Sequence, residues 1–123
     1  MIKRLHSNLY FISDVQQTAQ FYEKLGFSVE VSEDAVRIQI GDFTLAFMDE
    51  QKVSIDKETG AQPKGLGIFT YVEVNDVDAH FSQIQQAGIT PSSEPHDWPW
   101  GKREFAVKDP DGYKIVFYTP VKG

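Results

Sequence analysis

The richest chemistry in this chain lies in Trp98-Pro99-Trp100-Gly101-Lys102-Arg103-Glu104. Two indoles offer flat stacking faces, and the proline between them restricts the backbone that carries them. An indole can stack on a planar ligand or face a cation. Arg103 can hold a carboxylate through its planar fork. The competing use is structural: the Trp residues pack on a partner copy and Arg103 pairs with an acid of its own chain. Glu73 is the best general-base candidate, because a carboxylate desolvated among aromatics has its pKa pushed toward neutrality. Its place at a strand end argues for solvent instead. The three histidines are scattered and form no ligand cluster. His96 precedes the Trp loop and could act through it, His80 is expected exposed on a helix, and His6 falls on a helix-packing face. Glu30, Glu33 and Asp34 are most simply a solvated turn.

The elements that must position these residues are written twice. Asp14-Val15 opens a helical pattern that ends at Leu25-Gly26-Phe27, and Asp76-Val77 opens another that ends at Ala87-Gly88-Ile89. The two align without a gap at an offset of 62 residues, about half of the 123-residue chain. Such a period points to two copies of one supersecondary unit. Each Asp is a good helix N-cap and each Gly a left-handed stop. Alternating and turn residues predict strands at 5–12, 28–33, 35–40 and 43–48 in the first copy. The second copy is expected to place strands at 66–74, 90–96 (short and broken by Pro91 and Pro95), 102–108 and 113–119. The Asp109-Pro110-Asp111-Gly112 segment has the residue pattern of a type I turn. The helices are expected to end at 25 and 87. Residues 49–65 are polar and read as a surface connection or a flap over the cleft; the sequence leaves that choice open.

Composition bounds the function. The chain is 41% hydrophobic and 24% charged, with nine Phe, five Tyr and two Trp, as a soluble domain of ordinary size should be. A net charge of −6 without a basic run disfavours nucleic acid and favours cationic ligands. No cysteine is present, which removes disulfides and thiolate ligands and fits a cytoplasmic setting. No apolar stretch predicts a membrane span or a signal peptide.

The motifs Asp14-Val15, Phe21-Tyr22-Glu23-Lys24-Leu25-Gly26-Phe27 and Asp109-Pro110-Asp111-Gly112-Tyr113-Lys114-Ile115, on a duplicated frame covering nearly the whole chain, resemble the vicinal oxygen chelate superfamily of glyoxalases, extradiol dioxygenases, and fosfomycin- and bleomycin-resistance proteins. The resemblance implies an α+β fold, one domain of two βαβββ repeats at about 1–50 and 66–123. Their curved mixed sheets would surround a cleft, often in a homodimer. Metal-dependent relatives carry His or Glu at four positions that correspond here to Ser7, Ala46, Phe69 and Val116. None of these offers an imidazole or carboxylate, so the resemblance implies no metal and no cofactor, and argues against glyoxalase I or dioxygenase chemistry. A one-residue shift would bring His6 or Asn8 to the first position but would not rescue Phe69 and Val116 together.

By strand alternation the face of those four positions also carries Leu9 and Phe11, Thr44 and Met48, Tyr71 and Glu73, and Lys114 and Tyr118. The aromatics among them either line a pocket or fill a metal-free cavity as core. The expected ligand contacts are Phe11, Met48, Phe69, Tyr71, Glu73, Trp98, Trp100, Arg103 and Tyr118. The expected function is metal-independent binding of a small molecule, such as antibiotic or toxin sequestration. The alternatives are a lyase, isomerase or dioxygenase with a non-standard metal site built from His96, Glu73 or Glu104, or an interaction module with a filled cavity. Whether any catalysis occurs stays open on the sequence.

Overall fold

A computed structural model describes residues 1–52 and 63–121. Its contacts divide the chain into two compact units, Met1–Gln62 and Pro63–Gly123. The first contains β1 (Ser7–Ile12), α1 (Val15–Lys24), β2 (Glu30–Val31), β3 (Ala35–Ile40) and β4 (Phe43–Asp49). The second repeats the order with β5 (Phe69–Glu73), α2 (Val77–Gln86), β6 (His96–Trp98), β7 (Lys102–Lys108) and β8 (Lys114–Pro120). The fold is α+β, with two four-stranded mixed sheets ordered β1-β4-β3-β2 and β5-β8-β7-β6. In each, the first strand runs parallel to the last and the remaining pairs are antiparallel. No described helix is long and apolar enough to cross a membrane.

Both helices begin and end the same way. Asp14 Oδ1 accepts from the Gln17 amide at 2.9 Å and Asp76 Oδ1 from the Ala79 amide at 3.1 Å, satisfying donors that the first turn leaves free. At the other end Gly26 (φ 106°) and Gly88 (φ 94°) take the left-handed conformation that only glycine adopts without strain. The reversed chain then donates from Phe27 to the Tyr22 carbonyl and from Ile89 to the Ile84 carbonyl, each the long bond of a Schellman cap.

Each helix covers one face of its own sheet. In the first unit Val15, Thr18, Ala19 and Tyr22 are buried against Tyr10, Val36, Ile38 and Phe47. In the second Val77 and Ile84 are buried, and the rings of Phe81 and His80 lie on Phe105 and Phe117. His80 is therefore half-buried, its ring 4.5 Å from that of Phe117, and not the exposed residue the sequence suggested. Ile40 departs too: it alternates with Val36 and Ile38 but sits at the strand end beyond the helix and is exposed.

Several strand bounds differ from expectation for local reasons. β1 begins at Ser7, where the His6 carbonyl takes the last ladder bond from Thr44. β2 keeps only two residues because Ser32 already turns back, its amide donating to Ala35. β5 begins at Phe69 because Gly65 and Gly67 both adopt positive φ and break the extended run. The largest difference is the sixth strand. Residues 90–95 are irregular, since Pro91 and Pro95 lack ladder donors. The segment is tied to β7 by isolated bonds, from Ser92 to the Ala106 carbonyl and from the Ala106 amide to Ser93 Oγ. The strand is instead His96–Trp98, so only 99–101 remain as the loop. The type I turn is where it was expected: Gly112 donates to the Asp109 carbonyl, and Asp109 Oδ1 accepts from Asp111 and Tyr113. The segment 49–65, expected as a surface connection or a flap, lies mostly outside the described residues.

Candidate ligand-binding site

Strand register determines which side chains share a surface. In the second sheet Tyr71 lies opposite Val116, Val116 opposite Ala106, and Tyr118 opposite Glu104. His96 lies opposite Glu104 and Trp98 opposite Lys102. Phe69, Tyr71, Trp98, Glu104, Ala106 and Val116 thus project from the face away from α2. With Ser93, Trp100 and Phe105 they line a cavity of about 300 Å³.

The wall of this cavity is a run of aromatic rings. Trp98 and Trp100 stack with centroids 4.8 Å apart and planes 7° from parallel. His96 meets Trp98 at 4.5 Å and 69°. The tight loop makes this possible: Gly101, at φ 87°, turns the chain, and its amide donates back to the Trp98 carbonyl. Phe69, Tyr71, Trp98 and Trp100 all keep large exposed areas.

Among these rings sits one charged group. Glu104 is only 8% exposed. Its Oε1 accepts from the Tyr71 hydroxyl at 3.1 Å and its Oε2 from Trp100 Nε1 at 3.3 Å. Both donors are neutral, and among the described residues Glu104 has no ion-pair partner. Partial burial, and then the hydrogen bond and charge of Glu104, raise the Tyr71 phenol above its ordinary range. Beside the cavity the Tyr118 ring lies 5.9 Å from that of Tyr71. The Tyr118 hydroxyl donates to Glu73 Oε1 at 3.1 Å, and that hydrogen bond is the main cause of a raised Tyr118 pKa.

Two rings of this face already carry ammonium groups of the chain. Lys114 Nζ is 5.6 Å from the Phe69 centroid and Lys102 Nζ 5.3 Å from that of Tyr118, within cation–π range.

Of the nine expected contacts, the cavity brings together Phe69, Tyr71, Trp98 and Trp100. Glu73 and Tyr118 form a neighbouring pair on the same face. Glu73 borders a second depression of about 440 Å³ with Asp76, His80 and Gln83. Arg103 projects from the other face of β7, where its Nε and Nη2 bind Asp78 at 3.0 Å and its Nη1 binds Asp97 at 3.0 Å. These two acids hold its pKa above the usual range; its fork ties β6 to α2 and does not face the cavity. Phe11 and Met48 lie opposite each other in β1 and β4 of the first unit, with Phe11 buried. Ser93, Glu104, Phe105, Ala106 and Val116 also line the cavity and were not among the expected ligand contacts; of these, Glu104 and Ser93 bring polar side chains. Alternation along 102–108 would have found Glu104, because it puts residues 102, 104 and 106 on the face of Val116 and Tyr118.

The four positions that hold metal in metal-dependent relatives do not fit a divalent cation. Register puts Ser7 on the face of Leu9 and Ala46, and Phe69 on the face of Tyr71 and Val116. The four side chains supply one hydroxyl and no imidazole or carboxylate, whereas such a cation takes several hard or imidazole donors. Among the described residues no group of three His, Cys, Asp or Glu gathers in a way that could hold a metal ion.

The comparisons with known proteins agree on the architecture. A family profile described as the Glyoxalase/Bleomycin resistance protein/Dioxygenase superfamily matches residues 4–117. A bleomycin resistance protein of Geobacillus stearothermophilus is 29% identical over 122 residues, covering 90% of this chain and 92% of that protein; one of Staphylococcus aureus matches equally. Among solved structures, a glyoxalase/bleomycin resistance protein/dioxygenase from Nocardioides superposes with a TM-score of 0.80 at 21% identity, covering 100% of this chain and 88% of that one. A hypothetical protein from S. aureus gives 0.78 at 24% identity, covering 97% and 94%.

Proposed function

The chain belongs to the Glyoxalase/Bleomycin resistance protein/Dioxygenase superfamily, and on that premise we propose that it captures a small organic molecule, without metal, in the aromatic cavity of its second repeat. The observation that carries this reading is the cavity of about 300 Å³ walled by Phe69, Tyr71, Trp98 and Trp100. Its rings are held open by strand register and by a constrained loop, so little ordering is left to oppose binding. Stacking on the Trp98–Trp100 pair supplies affinity, and the few polar atoms of Glu104, Tyr71 and Ser93 set orientation. The arrangement needs no turnover: a protein that holds its ligand protects against it by mass action. The similarity to proteins named for bleomycin resistance supports sequestration as the mode. A homodimer, as expected from the family resemblance, and a cytoplasmic setting are part of the same reading.

The test uses the neutral, flat dye phenylnaphthylamine, whose emission rises on leaving water. Wild type is expected to enhance it saturably, and Trp100→Ala to weaken binding about tenfold or more, as loss of a stacking partner does. No saturable enhancement, or none lost in Trp98→Ala and Trp100→Ala, would overturn the reading. The competing reading, a metal-dependent lyase, isomerase or dioxygenase, needs Glu73, His96 or Glu104 to hold an ion. Against it stand the neutral partners that already occupy Glu73 and Glu104. Near-stoichiometric metal retained after reconstitution with Fe²⁺, Zn²⁺, Ni²⁺ or Mn²⁺, and lost in Glu104→Ala, would establish it instead.

A further inference from the structure

We infer that the cavity selects organic cations, with a tertiary or quaternary ammonium head seated among the rings and Glu104 as its counter-charge. This deepens the proposed function and rests on the same cavity.

A carboxylate taken out of water needs hydrogen bonds and an opposite charge. Glu104, 8% exposed, has the first from Tyr71 and Trp100. Among the described residues it lacks the second: its partners there are neutral, no described Lys or Arg lines the cavity, and the nearest arginine in sequence, Arg103, is committed to Asp78 and Asp97 on the opposite face. Glu104 is therefore the one charged side chain among the described residues that line a mostly apolar cavity. A cationic ligand completes that arrangement, and an anionic one is repelled.

The rings point the same way. Aromatic faces are electronegative and attract ammonium groups, most strongly where water is excluded. This sheet face already seats Lys114 on Phe69 and Lys102 on Tyr118. The Tyr71, Trp98 and Trp100 rings line the same cavity as Glu104 and have no such occupant among the described residues. Donation to Glu104 also polarises Tyr71 and Trp100: each N–H or O–H proton leans toward the carboxylate, which leaves the ring more electron-rich. At about 300 Å³ the cavity is at the small end of ligand pockets, so it suits a compact alkylammonium head rather than an extended chain. Glu104 is then the specificity-determining residue, and the Tyr71 ring helps to seat the head.

The test compares choline with its neutral isostere, the alcohol in which a tert-butyl group replaces the trimethylammonium head. Shape is matched and only charge differs. Trp98 and Trp100 are the only two tryptophans, so intrinsic fluorescence reports this cavity alone; calorimetry checks the affinities. Choline is expected to bind wild type at least about tenfold more tightly than the alcohol. Glu104→Gln should remove most of that preference, while Tyr71→Phe, which keeps the ring and the carboxylate, should retain it. Equal affinities in wild type, including failure of both to bind, overturn cation selection and need no variant. A preference unchanged in folded Glu104→Gln also overturns it. Phenylnaphthylamine separates the two levels: if it binds while choline shows no advantage, the cavity stands and the selectivity falls; if it too fails to bind, both fall.

Discussion

The two repeats share a frame and fill it oppositely. Offset and register make Phe47 equivalent to Phe117, each flanked by a parallel and an antiparallel neighbour. In the first repeat the parallel neighbour is Tyr10, stacked at 4.8 Å, and the antiparallel one is Val36. In the second the parallel neighbour is Val72 and the antiparallel one Phe105, at 5.4 Å. The helices compensate: Ala19 and Tyr22 stand where Phe81 and Ile84 stand 62 residues later. Large and small exchange places while the layer stays filled, as packing at crystal density demands. The open faces differ in chemistry as well as in size. Where the second repeat has Tyr71 and Glu104, register puts Leu9 and Ala35 in the first, so the carboxylate and its hydroxyl donor belong to one copy only. Duplication supplied the scaffold, and divergence on one face and one loop supplied the candidate site.

Breaking the compensated core should give the largest effect. Phe105 is buried against Phe117 and Phe81. Phe105→Ala is expected to cost about 3–5 kcal/mol of unfolding free energy, while Val36→Ala at the equivalent place costs about 2 kcal/mol. Denaturant titrations of both variants would check this. Equal costs would show that the exchange of large and small side chains does not describe the two cores.

The shared part of the frame makes a symmetric prediction. Asp14→Ala and Asp76→Ala remove the same helix-capping bond and should each cost about 1 kcal/mol, matched to within a few tenths. A large imbalance would mean that the helices are not equally coupled to their sheets. The second helix has an extra tether, since Thr119 Oγ1 accepts from the Val77 amide and donates to the Val74 carbonyl; any excess should therefore fall on Asp14→Ala.

The hairpins between second and third strand of each repeat sharpen the contrast further. In the second, Arg103 clamps Asp97 and Asp78 at 3.0 Å. In the first, Lys52 reaches Glu33 and Asp34 only at 3.8 and 3.7 Å. Both sets are substantially solvent-exposed, so Arg103→Ala should cost about 0.5–1 kcal/mol and Lys52→Ala nothing measurable. Arg103→Ala should also make Trp98 and Trp100 more accessible to a soluble quencher, because it releases β6 from α2. Unchanged quenching would show that the loop holds its own shape.

Much of this was legible in the sequence because it is written in local or periodic signals. Asp caps, glycine stops and alternating strands act within a few residues, and the repeat offset links them across the chain. Alternation could put Phe69 and Tyr71 on one face, whereas Trp98 and Trp100 were brought to that face only through the family resemblance. What could not be read depended on partners distant in sequence. Arg103 was expected at a ligand carboxylate because its fork fits one; Asp78, on another element, takes it first. Glu104, by contrast, was legible in the alternation of its strand: it lies one residue further along, and a one-residue difference reverses the side of a sheet. The sixth strand was misplaced because two isolated bonds, one backbone and one to a side chain, rather than a ladder, tie 90–95 to β7.

The smallest effect tests the asymmetry at a single atom. Leu9 stands where the second repeat has Tyr71, whose hydroxyl donates to Glu104. Burial and that carboxylate raise the Tyr71 pKa, so the neutral phenol is favoured in the folded state over the unfolded one. The sign follows from linkage: this contribution is fully present below the unfolded tyrosine pKa of about 10, and is lost as pH rises through the higher folded value. Ionisation above that range would set a phenolate against a carboxylate with no described cation between them. Wild type minus Tyr71→Phe should therefore show a phenolate absorbance step above the unfolded tyrosine range, accompanied by a change in Trp100 emission, because Trp100 donates to the same carboxylate. Leu9→Phe, changing the matching place in the first repeat, should leave that step where it is. A Tyr71 step at or below the unfolded value would mean that Glu104 does not hold its hydroxyl, and the charged wall of the cavity would have to be redrawn around the other rings.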